Sequence, residues 1–428
     1  MPDPIRNVLI IGSGGREHAL AWKLSQSKLV DRTYVAPGNG GTERMNVYIE
    51  PNDINALLDF AEKHRCITVV GPETPLASGI VDHFAAKGLP IVGPTREQAK
   101  LEWSKSYAKQ LMHEKGIPTA RYRAFSDYEK AMDYISEQPG NVVVKADGLA
   151  AGKGVFVCST KEEAEEAIRK LMRDRIFGDS GSRIVIEERL QGREISLMTI
   201  SDGRNAIPFG TATDHKRVFD GETGPNTGGM GAYSPALKFD ARDVENVMKQ
   251  IVQPTVRNTG FRGFLYVALM ITSEGPKVIE FNSRLGDPET QVILPRLESD
   301  LLEPLSVISN MTSNAGLLDV DLKWSKNWFC TVVMCSKGYP SSPKIGDEIK
   351  GLDRAAAMSD TMIFHSGSIR KDGVLRTNSG RVLCVTSGGK TLAESSSRAY
   401  TAVDLITWNG EHHRHDIGLK ILDDGAVA

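Results

Sequence analysis

Up to about Lys100, short apolar runs alternate with stretches in which apolar residues recur at helical spacing. Strands that alternate with helices at this spacing predict a parallel sheet covered on both faces. Ligands of such sheets bind beyond the carboxyl ends of the strands. The predicted strands are Val8–Ile11, Thr33–Ala36, Thr68–Val70 and Pro90–Val92, and the predicted helices are one from His18, Ile54–His64 and Ala77–Lys87.

The pattern changes after a predicted helix over Gln98–Gly116. A strand pair, a charged helix and a further strand come first, and from Glu194 to Ile279 longer strands are interrupted by Gly-rich loops. A smaller α+β unit is predicted to begin after about Phe329. The fold class is therefore α/β plus α+β. The remaining predicted elements are Asn141–Lys145, Gly154–Cys158, Lys161–Arg173, Arg183–Glu187, Cys330–Cys335, Thr361–Phe364, Val382–Thr386 and Thr391 to about Ile406.

Composition narrows the class of protein. Among the 428 residues, 52 Lys and Arg stand against 54 Asp and Glu, a balance that argues against a dedicated nucleic-acid binder. Apolar residues make up 40% and charged residues 25%, which is typical of a globular protein. No apolar run approaches the roughly 18 residues of a membrane span, and the N-terminus lacks a basic start and a long apolar region. We therefore expect a cytoplasmic enzyme.

The Cys and His residues indicate structure rather than metal binding. The chain has 5 cysteines, without a Cys-x-x-Cys pair, and several lie in apolar runs, so we expect buried free thiols. His412, His413 and His415 lack Cys or carboxylate partners at metal-ligand spacing and are interpreted as a solvated loop.

Glycine-rich loops follow three of the N-terminal strands. Gly12-Ser-Gly-Gly-Arg-Glu17 lies between a strand and a helix, where free N–H groups can hold an anion. Glu17 occupies the place of the third Gly of a dinucleotide fingerprint, and alone this loop fits a ligand-free turn equally well. Pro37–Thr42 and Gly71-Pro-Glu73 follow the next two strands. Three amide-rich loops at one sheet edge favour a small phosphorylated molecule.

A second glycine cluster predicts a flap over a polyphosphate. The stretch Lys145-Ala-Asp-Gly-Leu-Ala-Ala-Gly-Lys-Gly154 is not a Walker A loop, because its spacing differs and a strand follows it. A hairpin with a mobile tip would place Lys145 as a compact charge on a phosphate, and closure would exclude water. The alternative is a flexible hairpin with solvated lysines.

Two later strands end in candidate ligands. Glu187–Glu194 follows a strand whose free backbone groups could pair with an adenine edge, although a charged surface turn is the favoured interpretation of this segment alone. On the strand Val278–Asn282, positions i and i+2 share a face, so Glu280 and Asn282 present oxygens to one point. Two hard oxygen ligands, with phosphates and water, suit Mg²⁺. The alternative is a half-exposed structural strand.

Taken together, these motifs resemble the ATP-grasp carboxylate–amine ligases and, among them, the glycinamide ribonucleotide synthetase family. The resemblance implies an N-terminal Rossmann-like domain (1–101), an ATP-grasp core (102–121 and 192–328), an ATP-grasp lid (122–191) and a C-terminal domain (329–428). The matching stretches are 12–20, 36–42, 145–154, 214–217, 223–235, 284–291 and 380–386.

The resemblance implies ATP-dependent joining of glycine to 5-phosphoribosylamine through glycyl phosphate, in purine biosynthesis. It implies Mg²⁺ or Mn²⁺ as cofactor, small-molecule partners, neither nucleic acid nor membrane, and a monomer. The implied ATP-binding residues are Lys105, Lys145, Asp147, Gly148, Gly152, Lys153, Gly154, Glu187, Glu188, Leu190 and Glu194. The implied metal ligands are Glu280 and Asn282.

The remaining implied residues surround the other two substrates. Those around glycine and the acyl phosphate are Asp214, Lys216, Arg284 and Asp287. The implied substrate-binding residues, of which the glycine loops at 12–15 and 38–41 would cradle the sugar phosphate, are Gly12, Gly14, Gly15, Arg16, Glu17, Gly38, Asn39, Gly40, Gly41, Glu73, Asn226, Gly228 and Gly229.

Three alternatives remain at this point. Another ATP-grasp ligase, such as a biotin carboxylase-like enzyme, should lack the Gly-Pro-Asn-Thr-Gly-Gly-Met stretch. A non-catalytic nucleotide sensor should have lost the charged groups, yet Lys145, Lys153 and Glu280 are present. A nicotinamide dehydrogenase built on the first domain would bind NAD.

Overall fold

The N-terminal part is a four-stranded parallel sheet in the order β2-β1-β3-β4. The computed structural model describes residues 7–150, 152–309 and 316–419. The central strands are apolar throughout because helices cover both faces. This confirms the predicted parallel sheet. Its elements are β1 (Asn7–Gly12), α1 (Gly15–Leu24), β2 (Arg32–Pro37), α2 (Ile54–His64), β3 (Cys66–Val70), α3 (Glu73–Ala77), α4 (Ile80–Ala86) and β4 (Ile91–Val92).

Two predicted helices are each divided in two. The stretch predicted as Ala77–Lys87 is broken at Gly79, whose φ of +85° lies in the left-handed region. The predicted helix Gln98–Gly116 is broken at Ser104, which has an extended backbone and caps the second half. Periodicity alone did not reveal either break.

A second sheet is antiparallel, in the order β5-β8-β6-β7, and contains the predicted flap hairpin β6–β7. Helices α7 and α8 pack on one face through a small apolar core. Its elements and the two helices before it are α5 (Lys100–Trp103), α6 (Lys105–Glu114), β5 (Tyr122–Phe125), α7 (Tyr128–Ser136), β6 (Val142–Ala146), β7 (Val155–Val157), α8 (Lys161–Ile168) and β8 (Ile184–Glu188).

The third sheet has eight strands in the order β15-β14-β9-β10-β13-β16-β20-β17. The strands of its first half are β9 (Arg193–Asp202), β10 (Ala206–Asp214), β13 (Gly231–Ser234), β14 (Arg262–Thr272) and β15 (Gly275–Asn282). Other elements of this stretch are the hairpin β11 (Arg217–Phe219) and β12 (Thr223–Asn226), and helices α9 (Ala241–Val247), α10 (Gln253–Thr259), α11 (Thr290–Ile293) and α12 (Leu302–Ile308).

Three C-terminal strands, β16, β20 and β17, continue this sheet, while β18 and β19 form a two-stranded sheet of their own. Strand β16 pairs with β13, for example Val332 with Gly231, so backbone groups at that edge are not left unpaired. The predicted smaller unit is thus joined to the core by hydrogen bonds. Its elements are β16 (Trp328–Cys335), α13 (Leu352–Ala356), β17 (Thr361–His365), β18 (Ser368–Lys371), β19 (Val374–Thr377), β20 (Arg381–Gly389) and α14 (Leu392–Val403).

The overall class agrees with the sequence-based prediction of α/β plus α+β architecture. All 5 cysteines are free and buried, as predicted. Within residues 7–150, 152–309 and 316–419, no helix is long and apolar enough to cross a membrane.

Candidate active site

The flap hairpin and the predicted metal strand meet at Lys145. Its ammonium donates to the backbone oxygen of Ile279, 3.2 Å away on β15, although the two residues lie in different sheets. The same ammonium lies 3.0 Å from the Glu187 carboxylate on β8. The lid sheet and the core sheet therefore form opposite walls of one cleft, and Glu280 follows directly after the Ile279 contact.

Glu187 binds two lysines rather than one. Its Oε2 is 3.0 Å from Lys145 Nζ and 3.0 Å from Lys109 Nζ, and all three side chains are buried. Burial lowers the pKa of Lys109 to about 8 even though Glu187 opposes that shift. The Glu187 Oε1 has no hydrogen-bond partner. Sequence reasoning missed Lys109, because a lysine on the amphipathic helix α6 is expected to be exposed to solvent unless its partner is known.

Glu280 lies among four cations. Burial opposes its ionisation, but the charges of Lys105, Lys216, Lys145 and Arg284 together lower the pKa of its carboxyl below the ordinary value. Asn282 is 8% exposed, and its Nδ2 has no partner.

The oxygen atoms of β15 fit a divalent cation shared with a phosphate ligand. Across the strand pair, Ala268 faces Glu280 and Tyr266 faces Asn282, so β14 adds no carboxylate. Among the described residues no group of three or more His, Cys, Asp or Glu side chains is arranged to hold a metal by itself. A carboxylate and an amide oxygen are suitable for Mg²⁺ when phosphate and water supply the remaining ligands.

A cavity opens beside these strands. Glu194, one of the implied ATP-binding residues, borders it and forms an ion pair of 3.0 Å with Lys216. Its lining includes the apolar side chains of Leu269 and Ile279 and the charged pair Glu194–Lys216. Its lining residues are Glu194, Ile195, Ser196, Asp214, Lys216, Tyr266, Ala268, Leu269 and Ile279.

Asp214 is one of the residues that line this cavity. Burial and the neighbouring Glu289 carboxylate raise the pKa of Asp214 well above its usual range, and its Oδ1 has no partner. Glu289 is 2% exposed and accepts a hydrogen bond of 3.1 Å from Ser196. Sequence reasoning did not select Glu289, although it stands in the Arg284–Gln291 stretch. The Asp214 carboxyl therefore lines the cavity with a second carboxylate, that of Glu289, close enough to raise its pKa.

Arg284 is bound to protein carboxylates in the structure. Its guanidinium lies 3.3 Å from Glu73 and 2.9 Å from Glu102, and these charges raise the pKa of Arg284 although burial opposes them. Glu102 also accepts a hydrogen bond from the backbone N–H of Ser283. Arg284, implied to lie near glycine and the acyl phosphate, here joins α3 and α5 to the end of β15.

The N-terminal glycine loops meet at one sheet edge, but their donors are largely used. The backbone N–H of Gly14 donates to Glu17 at 2.6 Å, and that of Arg16 donates to Asp287 at 3.3 Å. A Cβ at Gly71 or Gly12 would overlap the Glu17 carboxylate. The glycines there make room for Glu17, which differs from the predicted open cradle for an anion.

The second glycine loop packs against the C-terminal strands. The Gly40 N–H donates to the Ser368 oxygen at 2.9 Å, and the Gly38 N–H donates to the Gly12 oxygen at 3.2 Å. The side chain of Asn39 donates to the Ser13 and His365 oxygens. The Gly41 N–H donates back to Asn39.

Two predicted flap residues have structural partners. Asp147 accepts hydrogen bonds from the backbone and hydroxyl of Ser106, at 2.6 and 2.7 Å, which holds the start of α6 and hence Lys105. Lys153 is exposed and donates to the Pro340 oxygen at 3.4 Å.

The remaining predicted residues lie around this flap or near the cleft. Gly148 lies against Ser180, and Gly154 lies against Ala146. Glu188 pairs with Arg121 on the exposed side, and the half-buried Leu190 follows β8. Gly15 is buried at the start of α1, Gly152 lies near the Thr227 oxygen, and Asn226 pairs with Arg217 in the β11–β12 hairpin.

Three family models match consecutive parts of the chain. They are described as the phosphoribosylglycinamide synthetase N domain, over residues 6–102, its ATP-grasp (A) domain, over 103–290, and its C domain, over 329–420. A phosphoribosylamine–glycine ligase of Vibrio vulnificus is 48% identical over 429 residues, covering 97% of this chain and 98% of the relative. One from Pseudomonas aeruginosa is also 48% identical, with the same shares.

Solved structures show the same architecture. The crystal structure of a phosphoribosylamine–glycine ligase from Thermotoga maritima has a TM-score of 0.79 at 33% identity, covering 96% of this chain and 100% of that one. A biotin carboxylase from Campylobacter jejuni has a TM-score of 0.72 at 16% identity, covering 99% of this chain and 96% of that one, which shows a shared fold.

Proposed function

The chain belongs to the phosphoribosylglycinamide synthetase family of ATP-dependent ligases in purine biosynthesis, and from this premise we propose that it joins glycine to 5-phosphoribosylamine through glycyl phosphate. The observation that carries the proposal is the convergence of lid and core on Glu280, whose pKa is lowered by two lysines of the nucleotide side, Lys105 and Lys145, and by Lys216.

In the first step a glycine carboxylate oxygen attacks the γ-phosphorus of ATP, and ADP leaves. Positioning and charge neutralisation account for most of the catalysis of phosphoryl transfer. Lys105 at the start of α6 and Lys145 on β6 supply positive charge to the cleft. Glu280 and Asn282 would hold a divalent cation, either Mg²⁺ or Mn²⁺, which offsets phosphate charge when bound.

Asp214 binds the ammonium of glycine in this proposal. A buried carboxyl whose pKa is raised by a second carboxylate gains most from a cation placed beside it. Glycine offers such a cation, and Lys216, in the turn between β10 and β11, lines the same cavity and can attract its carboxylate.

In the second step the amine of phosphoribosylamine attacks the acyl carbon, the C–O bond to phosphate breaks, and inorganic phosphate leaves. The amine loses one proton as the amide forms. No covalent bond to the protein is required. We propose that the glycine loops and Glu73 bind the sugar phosphate. Side chains of this region would contact it, or backbone amides would leave their present partners to do so.

A coupled assay with ATP, glycine and freshly made phosphoribosylamine tests the proposal. We expect ADP, phosphate and glycinamide ribonucleotide in equal amounts. The proposal would be contradicted if phosphate release required an acid other than glycine. It would also be contradicted if turnover did not depend on phosphoribosylamine.

An Asp214→Asn variant tests the glycine site within that assay. The KM for glycine should rise about 30-fold, because a buried charge pair is lost, while the KM for ATP changes little. The control is Asp202→Asn, at the opposite end of the β9–β10 pair, where the carboxylate accepts hydrogen bonds from its own turn. It should leave both constants unchanged.

A further inference from the structure

The turn at Gly228 and Gly229 is held from the C-terminal part of the chain. Arg381, the first residue of β20, donates to the Gly228 oxygen at 2.5 Å. The Gly228 N–H donates to the hydroxyl of Tyr339 at 3.1 Å. Both backbone groups of one residue are therefore bound by side chains more than 100 positions away in the sequence.

The same guanidinium also binds the loop that follows the metal strand. Arg381 Nη1 lies 2.9 Å from the backbone oxygen of Asp287 and 3.4 Å from its carboxylate. Burial opposes the shift, but Asp287 and its neighbours raise the pKa of Arg381, so it is charged throughout the physiological range. One side chain thus ties two loops that the core sheet alone does not join.

Gly229 is required by this close contact, and Gly228 leaves little room for a side chain. A Cβ at Gly228 would lie 3.1 Å from the Arg381 guanidinium carbon. At Gly229, where φ is +111°, a Cβ would overlap Pro288 and lie 2.8 Å from the unpartnered Oδ1 of Asp214. The turn is therefore pressed between Arg381 on one side and the Asp214 carboxylate on the other.

We propose that Arg381, assisted by Tyr339, is a positioning residue for glycine binding: it sets the Gly228–Gly229 turn and the Asp287–Pro288 loop around Asp214, so that the C-terminal part completes the glycine site. This inference rests on the proposed function, since it needs glycine to bind at Asp214. Arg381 acts through the two loops and touches no reacting atom.

A purely structural role for Arg381 is the competing explanation, and the chain contains a matched control for it. Arg398, on α14 of the same C-terminal part, also binds a backbone oxygen, that of Gly388, and carboxylates of Asp360 and Glu394. Its side chain is 24% exposed, against 20% for Arg381. Arg398 lies away from the loops around Asp214, so its loss reports on packing alone.

The experiment compares Arg381→Lys with Arg398→Lys in the full-length enzyme. Both carbonyl oxygens accept from one nitrogen, Nη1 of Arg381. Lysine keeps the positive charge, but its shorter side chain does not bring the ammonium to the position of Nη1. We expect Arg381→Lys to raise the KM for glycine about 10-fold or more, and to leave the Kd of a non-hydrolysable ATP analogue within about twofold of the parent value. Arg398→Lys should change neither constant.

A Tyr339→Phe variant sharpens the test. It removes one hydrogen bond to Gly228 without changing charge, and we expect about a threefold rise in the KM for glycine. Because both side chains bind the same residue, the effects of Arg381→Lys and Tyr339→Phe should be less than multiplicative in the double variant. If Arg381→Lys does not fold, Tyr339→Phe alone decides, and an unchanged glycine KM overturns the proposal.

Two results would overturn the inference for the arginine itself. One is a glycine KM in Arg381→Lys no different from that in Arg398→Lys, and the other is an equal loss of affinity for the ATP analogue. Failure of the underlying function gives a different result, because Asp214→Asn would then leave the glycine KM unchanged as well. A responsive Asp214→Asn beside an inert Arg381→Lys would refute only the positioning role.

Discussion

The cleft between lid and core and the glycine-loop edge of the N-terminal sheet were both predicted to bind phosphates, yet they differ in how their polar atoms are used. In the cleft, Glu187 Oε1, Asn282 Nδ2 and Asp214 Oδ1 are buried without a partner. At the sheet edge, Gly14 and Arg16 donate their backbone N–H groups to the carboxylates of Glu17 and Asp287.

The difference distinguishes atoms kept for a ligand from atoms used for the fold. A buried polar group without a partner costs about 1–3 kcal/mol, so such groups together in one cleft indicate that something else completes them. A glycine beside a buried carboxylate instead indicates close packing. Substitutions in the cleft should therefore change activity most, and substitutions at the edge should change stability most.

The largest effect is expected for Glu280→Gln. It removes the one carboxylate that several cations share, so kcat should fall about 1000-fold, as for the loss of a central electrostatic group in other active sites. Steady-state kinetics over a range of Mg²⁺ concentrations measure it. The control is Glu274→Gln on the same hairpin, where the carboxylate is exposed and pairs with Lys277. Turnover of Glu280→Gln within tenfold of the parent would contradict the assignment.

Glu187→Gln should have the next largest effect. In this part of the cleft the substitution should lower the stability of the protein as well as its activity. The change leaves Lys109 and Lys145 as buried cations without a carboxylate, which costs about 3 kcal/mol or more in the free energy of unfolding. Urea denaturation measures it, and the KM for ATP should rise because Lys145 is no longer held. The adjacent Glu188→Gln breaks only the exposed pair with Arg121, and should cost less than about 1 kcal/mol.

The sequence predicted the strands and the flap because their signals are local. Alternation places Glu280 and Asn282 on one face, and two glycines after a β-strand mark the flap beyond Lys145. The order of elements was enough to predict the parallel sheet. Each of these inferences needs only neighbours within about ten positions.

The residues that were missed depend on contacts between distant segments. Lys109 has its partner Glu187 on the lid sheet, and Glu102 has Arg284 on the loop after β15. Arg381, at the start of β20, has its partner Gly228 in the loop before β13. No spacing rule links such pairs. The same limit explains the glycine loops, where composition correctly placed the glycines but could not show that Glu17 fills the space they leave.

Glu17→Gln tests the structural role of the sheet edge. The carboxylate accepts hydrogen bonds from the Gly14 N–H and the Arg16 side chain, both at 2.6 Å, and is 2% exposed. We expect the free energy of unfolding to fall by about 2 kcal/mol, since hydrogen bonds to a charged group are weakened. Glu43→Gln, which breaks the exposed pair with Arg370, should cost less than about 1 kcal/mol.

The comparison would fail if Glu17→Gln kept full stability but lost affinity for phosphoribosylamine. In that case the carboxylate would serve the ligand rather than the fold. Kinetics with each substrate varied in turn, beside the unfolding curves, separate the two outcomes.

The smallest expected effect at the glycine-loop edge is the change in protein stability at low pH. Burial, with a smaller contribution from His365, lowers the pKa of His18 to about 3. The His18 Nδ1 accepts a hydrogen bond of 2.9 Å from the His365 N–H, which joins α1 to β17. Burial, with Arg370, likewise lowers the pKa of His365 to about 4.

A histidine whose pKa is lowered in the folded protein, and has its ordinary value in the unfolded chain, makes the protein less stable as the pH decreases. The unfolded state binds the extra proton below about pH 6.5, so the contribution of His18 is complete above that value and decreases continuously toward pH 3. From pH 7 to pH 5.5 the loss from His18 alone should be about 1 kcal/mol. His18→Gln keeps an acceptor for His365 but does not titrate, so its unfolding free energy should fall by that much less over the same interval. The exposed His83→Gln should keep the parental slope. If the unfolding free energies of His18→Gln and the parent changed equally with pH, His18 would not be buried as a neutral group. The argument that this sheet edge is closely packed would then fail.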